Sequence, residues 1–201
     1  MLRGHTNSIK TIAWDPTHRE LLASGSKDGA ICFWDLRICQ AQLRDEHGPK
    51  VVQACQTIAG AHKQKVVDHK GKTVKIGAPG ITGLLYPDGH PYGLITSGAS
   101  DGILKYWDLR STGKRGNGTR PNVLYSSLAD PTTFQVSRRP RGIYSLAAGH
   151  GPSAGLIFGL GADSTIHVYT LPTLSPDPSQ RYFHDDLKAG SFFVSLSMSP
   201  C

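Results

Sequence analysis

Long apolar runs, paired cysteines and charge are all scarce in this chain of 201 residues. No stretch approaches the roughly 18 consecutive apolar residues that a membrane-spanning helix needs. The opening Met1-Leu-Arg-Gly-His5 carries no apolar run of the kind that directs secretion, so no export is expected from it. The four cysteines, Cys32, Cys39, Cys55 and Cys201, include no C-x-x-C pair. They read as reduced thiols, and neither a disulfide framework nor a metal site is expected. Charged residues make up only 18% of the chain, which argues against a coiled coil or long-helix bundle built from abundant Ala, Glu, Lys and Leu. Turn formers are plentiful instead: 23 glycines and 13 prolines, well above the roughly 12% that the two together average. A turn-rich β protein is the expectation. Its formal charge of +7 is compatible with a nucleic-acid or acidic-protein partner without demanding one.

The sequence repeats itself. Ser24–Arg37 (SGSKDGAICFWDLR) and Ser97–Arg110 (SGASDGILKYWDLR) share eight of 14 positions without a gap, and Ala162–Leu171 (ADSTIHVYTL) is a weaker third copy with Tyr169 in place of tryptophan. Apolar strand starts at Ile9, Ile81 and Ile143 precede Trp34, Trp107 and Tyr169 by 25, 26 and 26 residues. Each unit therefore has a first strand, a turn, a second strand, a tight Asp-Gly-type turn and a third strand. A fourth strand is expected in the variable stretches that follow, with VVQACQT (51–57), NVLYSS (122–127) and RYF (181–183) as candidates.

Four strands per unit, with Gly-His before the first and Trp-Asp ending the third, resembles the WD-repeat β-propeller. The resemblance implies an all-β partial propeller of about three blades plus the first strand of a fourth, whose ring these residues alone do not close. The expected boundaries are blade 1 at 4–57, a basic inter-blade loop at 60–78, blade 2 at 79–127, blade 3 at 141–184 and the start of blade 4 at 190–201. The chain reads as a piece of a larger propeller. His5, Ser24, Asp28 and Trp34 stand where that family has a hydrogen-bonded quartet, and Ser97, Asp101 and Trp107 match in the second unit. Imidazole, hydroxyl, carboxylate and indole can satisfy one another at about 1 kcal/mol per bond. The quartet reads as structural, not catalytic. The nearest Gly-x-His of the second unit ends at His62, 19 residues before Ile81, whereas His5 stands four before Ile9; that histidine stays unassigned. The third unit offers no evident histidine.

No catalytic constellation emerges. Gly151-Pro-Ser153-Ala-Gly155 spells a nucleophile elbow, but a turn precedes it and a strand follows, where the elbow needs a strand and then a helix. Gly71-Lys72-Thr73 lacks the upstream glycine of a phosphate loop, and Asn117-Gly-Thr119 is a glycosylation sequon expected to be silent. No cofactor is expected. Two features stand out beyond the repeats. The segment Lys63–Lys75 carries Lys63, Lys65, Lys70, Lys72 and Lys75 against the single Asp68, and reads either as a solvated insertion or as a loop for an acidic partner. Arg138, Arg139 and Arg141 form a second short basic cluster.

The other feature is the doubled W-D-L-R, comprising Trp34, Asp35 and Arg37, then Trp107, Asp108 and Arg110. Its occurrence in adjacent units resembles the substrate receptors of cullin-4 RING ubiquitin ligases. The order of features is similar to that of denticleless-type receptors: GHTNSIKTIAWDP, then IAGAH with a lysine-rich insertion, then a third blade without Trp-Asp. The resemblance implies a nuclear, non-catalytic substrate-recognition subunit. Arg37 and Arg110 would face the ligase adaptor, damaged-DNA-binding protein one, and the opposite face would capture proteins on the replication clamp. The alternative is a generic WD-repeat scaffold of chromatin or ribonucleoprotein assembly, with the lysine loop dominating a salt-sensitive contact.

Overall fold

Short β-branched and aromatic runs alternating with Gly-, Pro- and Asp-containing turns fold the chain into successive antiparallel meanders. The computed structural model describes residues 2–37, 52–63, 66–67, 73–74, 79–113, 120–134, 139–190 and 194–199. The strands of the first third are β1 (Leu2–Arg3), β2 (Ile9–Trp14), β3 (Leu21–Ser26), β4 (Ile31–Asp35), β5 (Val52–Gln53) and β6 (Gln56–Ile58). A short hairpin follows, β7 (Val66–Val67) with β8 (Thr73–Val74). Next come β9 (Ile81–Leu85), β10 (Gly93–Gly98), β11 (Lys105–Gly113) and β12 (Arg120–Ser126), then β13 (Ile143–Ala148), β14 (Leu156–Gly161), β15 (Thr165–Thr170) and β16 (Ser175–Phe183).

Three four-stranded sheets result, β2-β3-β4-β6, β9-β10-β11-β12 and β13-β14-β15-β16, each antiparallel throughout. They are three blades of a partial β-propeller. The innermost strands stack on one another, β9 against β2 and β3, and β13 against β9 and β10. One apolar core lies between blades 1 and 2, where Ala23, Ile31 and Phe33 meet Leu84, Leu94 and Trp107. A second lies between blades 2 and 3, where Ile95, Leu104 and Tyr106 meet Ile143, Ile157 and Tyr169.

The outer strands depart from expectation in instructive ways. The segment 51–57 divides: Val52–Gln53 leaves the blade to pair in parallel with Leu2–Arg3, and Gln56–Ile58 alone closes the sheet on β4. Between them the Cys55 N–H donates to the Phe33 carbonyl at 2.9 Å. The last strand, Ser175–Phe183, is much longer than RYF and includes Pro176 and Pro178. Proline is tolerated there, since an edge strand has one side without a ladder to feed. Residues 194–199 form no strand; the Leu196 N–H donates to the Ser145 hydroxyl of blade 3 at 2.9 Å.

Both ends of the blades repeat the same backbone bonds. At one end the residue two past each third-strand Trp or Tyr donates into the turn joining the first two strands: Leu36 to Glu20, Leu109 to Tyr92 and Leu171 to Gly155. At the other end Lys27 donates to Ser8, Ala99 to Gly80 and Ala162 to Gly142. The W-D-L-R arginines emerge at the first end, which the resemblance to WD-repeat propellers equates with their wide face.

Candidate functional site

The first blade holds a continuous side-chain chain. The Trp34 indole N–H donates to the Ser24 hydroxyl at 2.8 Å, Ser24 meets His5 Nε2 at 2.8 Å, and His5 Nδ1 meets the Asp28 carboxylate at 3.2 Å. Asp28 also accepts the backbone N–H groups of Thr6 and Ala30. Burial disfavours its charge, but the Ala30 and Thr6 bonds and the His5 ring outweigh that and hold its pKa below the ordinary carboxylate value. The tight Asp28-Gly29 turn is possible because Gly29 takes φ +75°.

In the second blade the hydroxyl is Thr96, not Ser97. The Trp107 indole donates to Thr96 Oγ1 at 3.0 Å, and His62 Nε2 lies 2.9 Å from the same oxygen. Register explains the difference: Ser24 pairs with Cys32 on the neighbouring strand, and Thr96 pairs with Lys105. One extra residue separates the second strand from Asp101, so a gapless alignment lands on Ser97, which points the other way. Ser97 donates to the Ile143 carbonyl of blade 3 at 3.2 Å. The histidine is His62, which reaches the network across the 64–78 insertion and is fully buried. Burial, reinforced by the charge of Lys105, pushes its pKa down to about 3. Lys105 donates to the Ala61 carbonyl at 2.7 Å, and its own pKa is lowered by burial, with Asp101 opposing.

The third blade builds a histidine–carboxylate pair of its own. His167 arises from the third strand itself, at the register position of Cys32 and Lys105, and meets Asp163 at 2.9 Å. The hydroxyl position is Gly159, against whose vacant side the Tyr169 ring packs. The Tyr169 hydroxyl crosses to the second blade and donates to the Gly102 carbonyl at 2.7 Å. His167 was not evident among the repeats because it precedes the aromatic residue by two positions instead of standing before the first strand.

On the wide face, Arg37 and Arg110 have side chains 61% and 66% exposed. Arg37 forks back onto Asp35, with Nε at 3.0 Å and Nη2 at 2.8 Å. Arg110 Nε bonds Asp108 at 3.3 Å, its single side-chain bond among the described residues, and its guanidinium lies 5.1 Å from the centre of the Tyr92 ring. In the third blade Pro172 occupies the corresponding place, so no cation emerges there. Trp34 and Trp107 are buried and support this face from within; they do not form its surface. The loop Pro87–Tyr92 forms a ridge here, and His90 borders clefts of about 430, 250 and 280 Å³ around it. Nothing in the sequence motifs singled out this loop; its signal is a Pro-Asp-Gly-His-Pro turn placed beside an arginine.

Elsewhere, Lys63 is exposed, while Lys65, Lys70, Lys72 and Lys75 lie outside the described residues. Ser153 sits in a 3-10 turn, and its hydroxyl donates to the His150 carbonyl at 2.9 Å. Among the described residues no group of three His, Cys, Asp or Glu side chains is placed to hold a metal.

Residues 1–35 match the family model described as WD domain, G-beta repeat. The match covers the first blade as far as the end of its third strand. Across 98% of its length the chain is 30% identical to "Protein lethal(2)denticleless" of Drosophila melanogaster. It is 29% identical, over the same share, to "Denticleless protein homolog" of Homo sapiens. A third relative, "Cell division cycle protein cdt2" of Schizosaccharomyces pombe, is 26% identical over 98% of the chain. The chain spans 25%, 26% and 35% of these relatives respectively. The likeness to denticleless proteins thus spans all three blades. A chain in "Crystal Structure of Mitotic Checkpoint Complex" superimposes with a TM-score of 0.59 at 15% identity, over 99% of this chain and 45% of that one, and shares the fold.

Proposed function

We propose that this chain belongs to the propeller of a non-catalytic substrate-recognition subunit of a cullin-4 RING ubiquitin ligase, docking on the ligase adaptor through its wide face. The observation that carries the reading is the emergence of two exposed arginines from equivalent ends of adjacent blades, in a chain similar throughout to denticleless proteins. Guanidinium suits such a face because it stays charged and presents several donors in one plane. The opposite face would then be free to read substrate proteins on the replication clamp, in the nucleus. The test is binding of the purified chain to damaged-DNA-binding protein one before and after the double change Arg37→Ala, Arg110→Ala. A loss of about thirtyfold or more is expected if these are interface hot spots. Unchanged binding would remove the adaptor assignment and favour a general WD-repeat scaffold. That scaffold predicts a salt-sensitive contact abolished by neutralising Lys63, Lys65, Lys70, Lys72 and Lys75.

A further inference from the structure

Trp14, Tyr86 and Ala148 hold the same place in the three blades. Trp14 pairs with Leu22 and Ala148 with Ile157; Leu85 pairs with Ile95, which puts Tyr86 opposite Leu94. Leu22, Leu94 and Ile157 in turn pair with Trp34, Trp107 and Tyr169 on the third strands. In blade 2 the Tyr86 side chain is buried and belongs to the core between blades 1 and 2. In blade 3 the same place carries only the Ala148 methyl, half-buried against the core between blades 2 and 3. That seam is short of one aromatic ring.

Where the ring is missing, the cleft of about 430 Å³ opens between the Pro87–Tyr92 loop and blade 3. Ala148, Ile157 and Leu171 give it apolar walls continuous with the core between blades 2 and 3. Its far side is low because the loop there is built from small residues: a Cβ on Gly151 or on Gly155 would meet nothing within 4 Å. The Gly-Pro-Ser-Ala-Gly run, which forms no nucleophile elbow, thus hollows this surface. Pro172 completes the lining at the place where the first two blades extend arginines. An apolar cavity of about 150 Å³ accommodates benzene, so this one has room for an aromatic side chain. One carboxylate stands at its mouth, Asp88, whose side chain is 73% exposed and meets the His150 ring at 3.4 Å. Apart from the two histidines, His90 and His150, it is the one ionisable side chain of the lining.

We propose that this recess on blade 3 is a docking pocket for an aromatic side chain of the adaptor, which supplies from outside the ring that Tyr86 supplies within blade 2. A basic residue next to that ring on the adaptor would meet Asp88. The proposal rests on the adaptor reading above and adds to it a contact made without either arginine. Two observations select the partner chemistry. The repeat itself defines the size and apolar character of the missing group, and the exposed carboxylate at the mouth favours a cation beside it.

The test titrates damaged-DNA-binding protein one against the unaltered chain, Ala148→Tyr, Ala154→Trp, Asp88→Asn and the double change Arg37→Ala, Arg110→Ala. Melting and sedimentation are recorded for each. Ala148→Tyr restores the ring from within, so it should melt no lower than the unaltered chain and yet bind the adaptor at least about tenfold more weakly. Ala154→Trp, on the exposed loop, should fill the recess from the other side with a similar loss. Asp88→Asn should cost about two- to threefold and make binding less sensitive to salt. Full-strength binding by Ala148→Tyr and Ala154→Trp, with the arginine variant weakened, would overturn the pocket and leave the adaptor reading standing. Weaker self-association of Ala148→Tyr with adaptor binding unchanged would assign the recess to a second copy of this chain and equally overturn the proposal. If the unaltered chain does not bind, or binds as well without both arginines, the adaptor reading falls and this proposal with it. Should Ala148→Tyr fail to fold, Ala154→Trp decides.

Discussion

Thr96 and Ser97 are adjacent hydroxyls that serve different interfaces, one inside blade 2 and one at the seam with blade 3. Thr96→Val should strand the Trp107 indole and the His62 imidazole together and cost about 1–3 kcal/mol, with a changed Trp107 emission. Ser97→Ala should cost about 1 kcal/mol or less and leave that emission unaltered, because Thr82 also donates to the Ile143 carbonyl. His62 carries a pH dependence of definite sign. Unfolded, it takes up a proton near its ordinary value of about 6.5; folded, it does so only near pH 3. Between those limits the unfolded chain binds more protons, so stability falls as the pH drops, by at most about 1.4 kcal/mol per unit. Urea unfolding from pH 8 to pH 4 should show this slope, and His62→Asn should flatten it. The indoles, carboxylates and first imidazole were legible in the sequence because the third strand repeats without a gap. The second hydroxyl was not, since the one-residue step falls ahead of Asp101. The spacings of 25 and 26 residues from strand start to tryptophan carry that step, though not its position.

At the scale of elements, the inner three strands follow directly from apolar runs and Asp-Gly turns, whereas the outer strands do not. An outer strand feeds a ladder on one side only, so weak β formers and prolines suffice, and Ser175–Phe183 carries little strand signal despite being one of the longest. His62 was obscured for a related reason. The 64–78 insertion separates it in sequence from a strand it remains close to in space. The seam between blades depends on backbone approach. A Cβ on Gly142 would run into the Ala99 carbonyl, backbone that cannot rotate away. Gly142→Ala should therefore destabilise the protein by about 1–3 kcal/mol, read as a lower melting temperature with little change in the far-ultraviolet spectrum of the remaining fold.

At the scale of the molecule, blade 1 shows what an uncovered blade looks like. Ile12 and Trp14 are 56% and 55% exposed, while their counterparts Leu84 and Tyr86 in blade 2, packed against blade 1, are 8% and 9% exposed. Contiguous apolar surface of this kind promotes association in water. Sedimentation velocity on the 201-residue chain should show concentration-dependent association, and Ile12→Ser with Trp14→Ser should reduce it. A monodisperse unaltered chain across a wide concentration range would contradict this. The cross-blade bond of Tyr169 bears on how the array comes together. Blades 1 and 2 bury tryptophans whose indoles find acceptors within their own sheet, but blade 3 buries a phenol whose acceptor, Gly102, belongs to the blade before it. The buried Tyr169 phenol is thus satisfied only when blade 3 is seated on blade 2, so one hydrogen bond makes the interior of the third blade answer to the presence of the second.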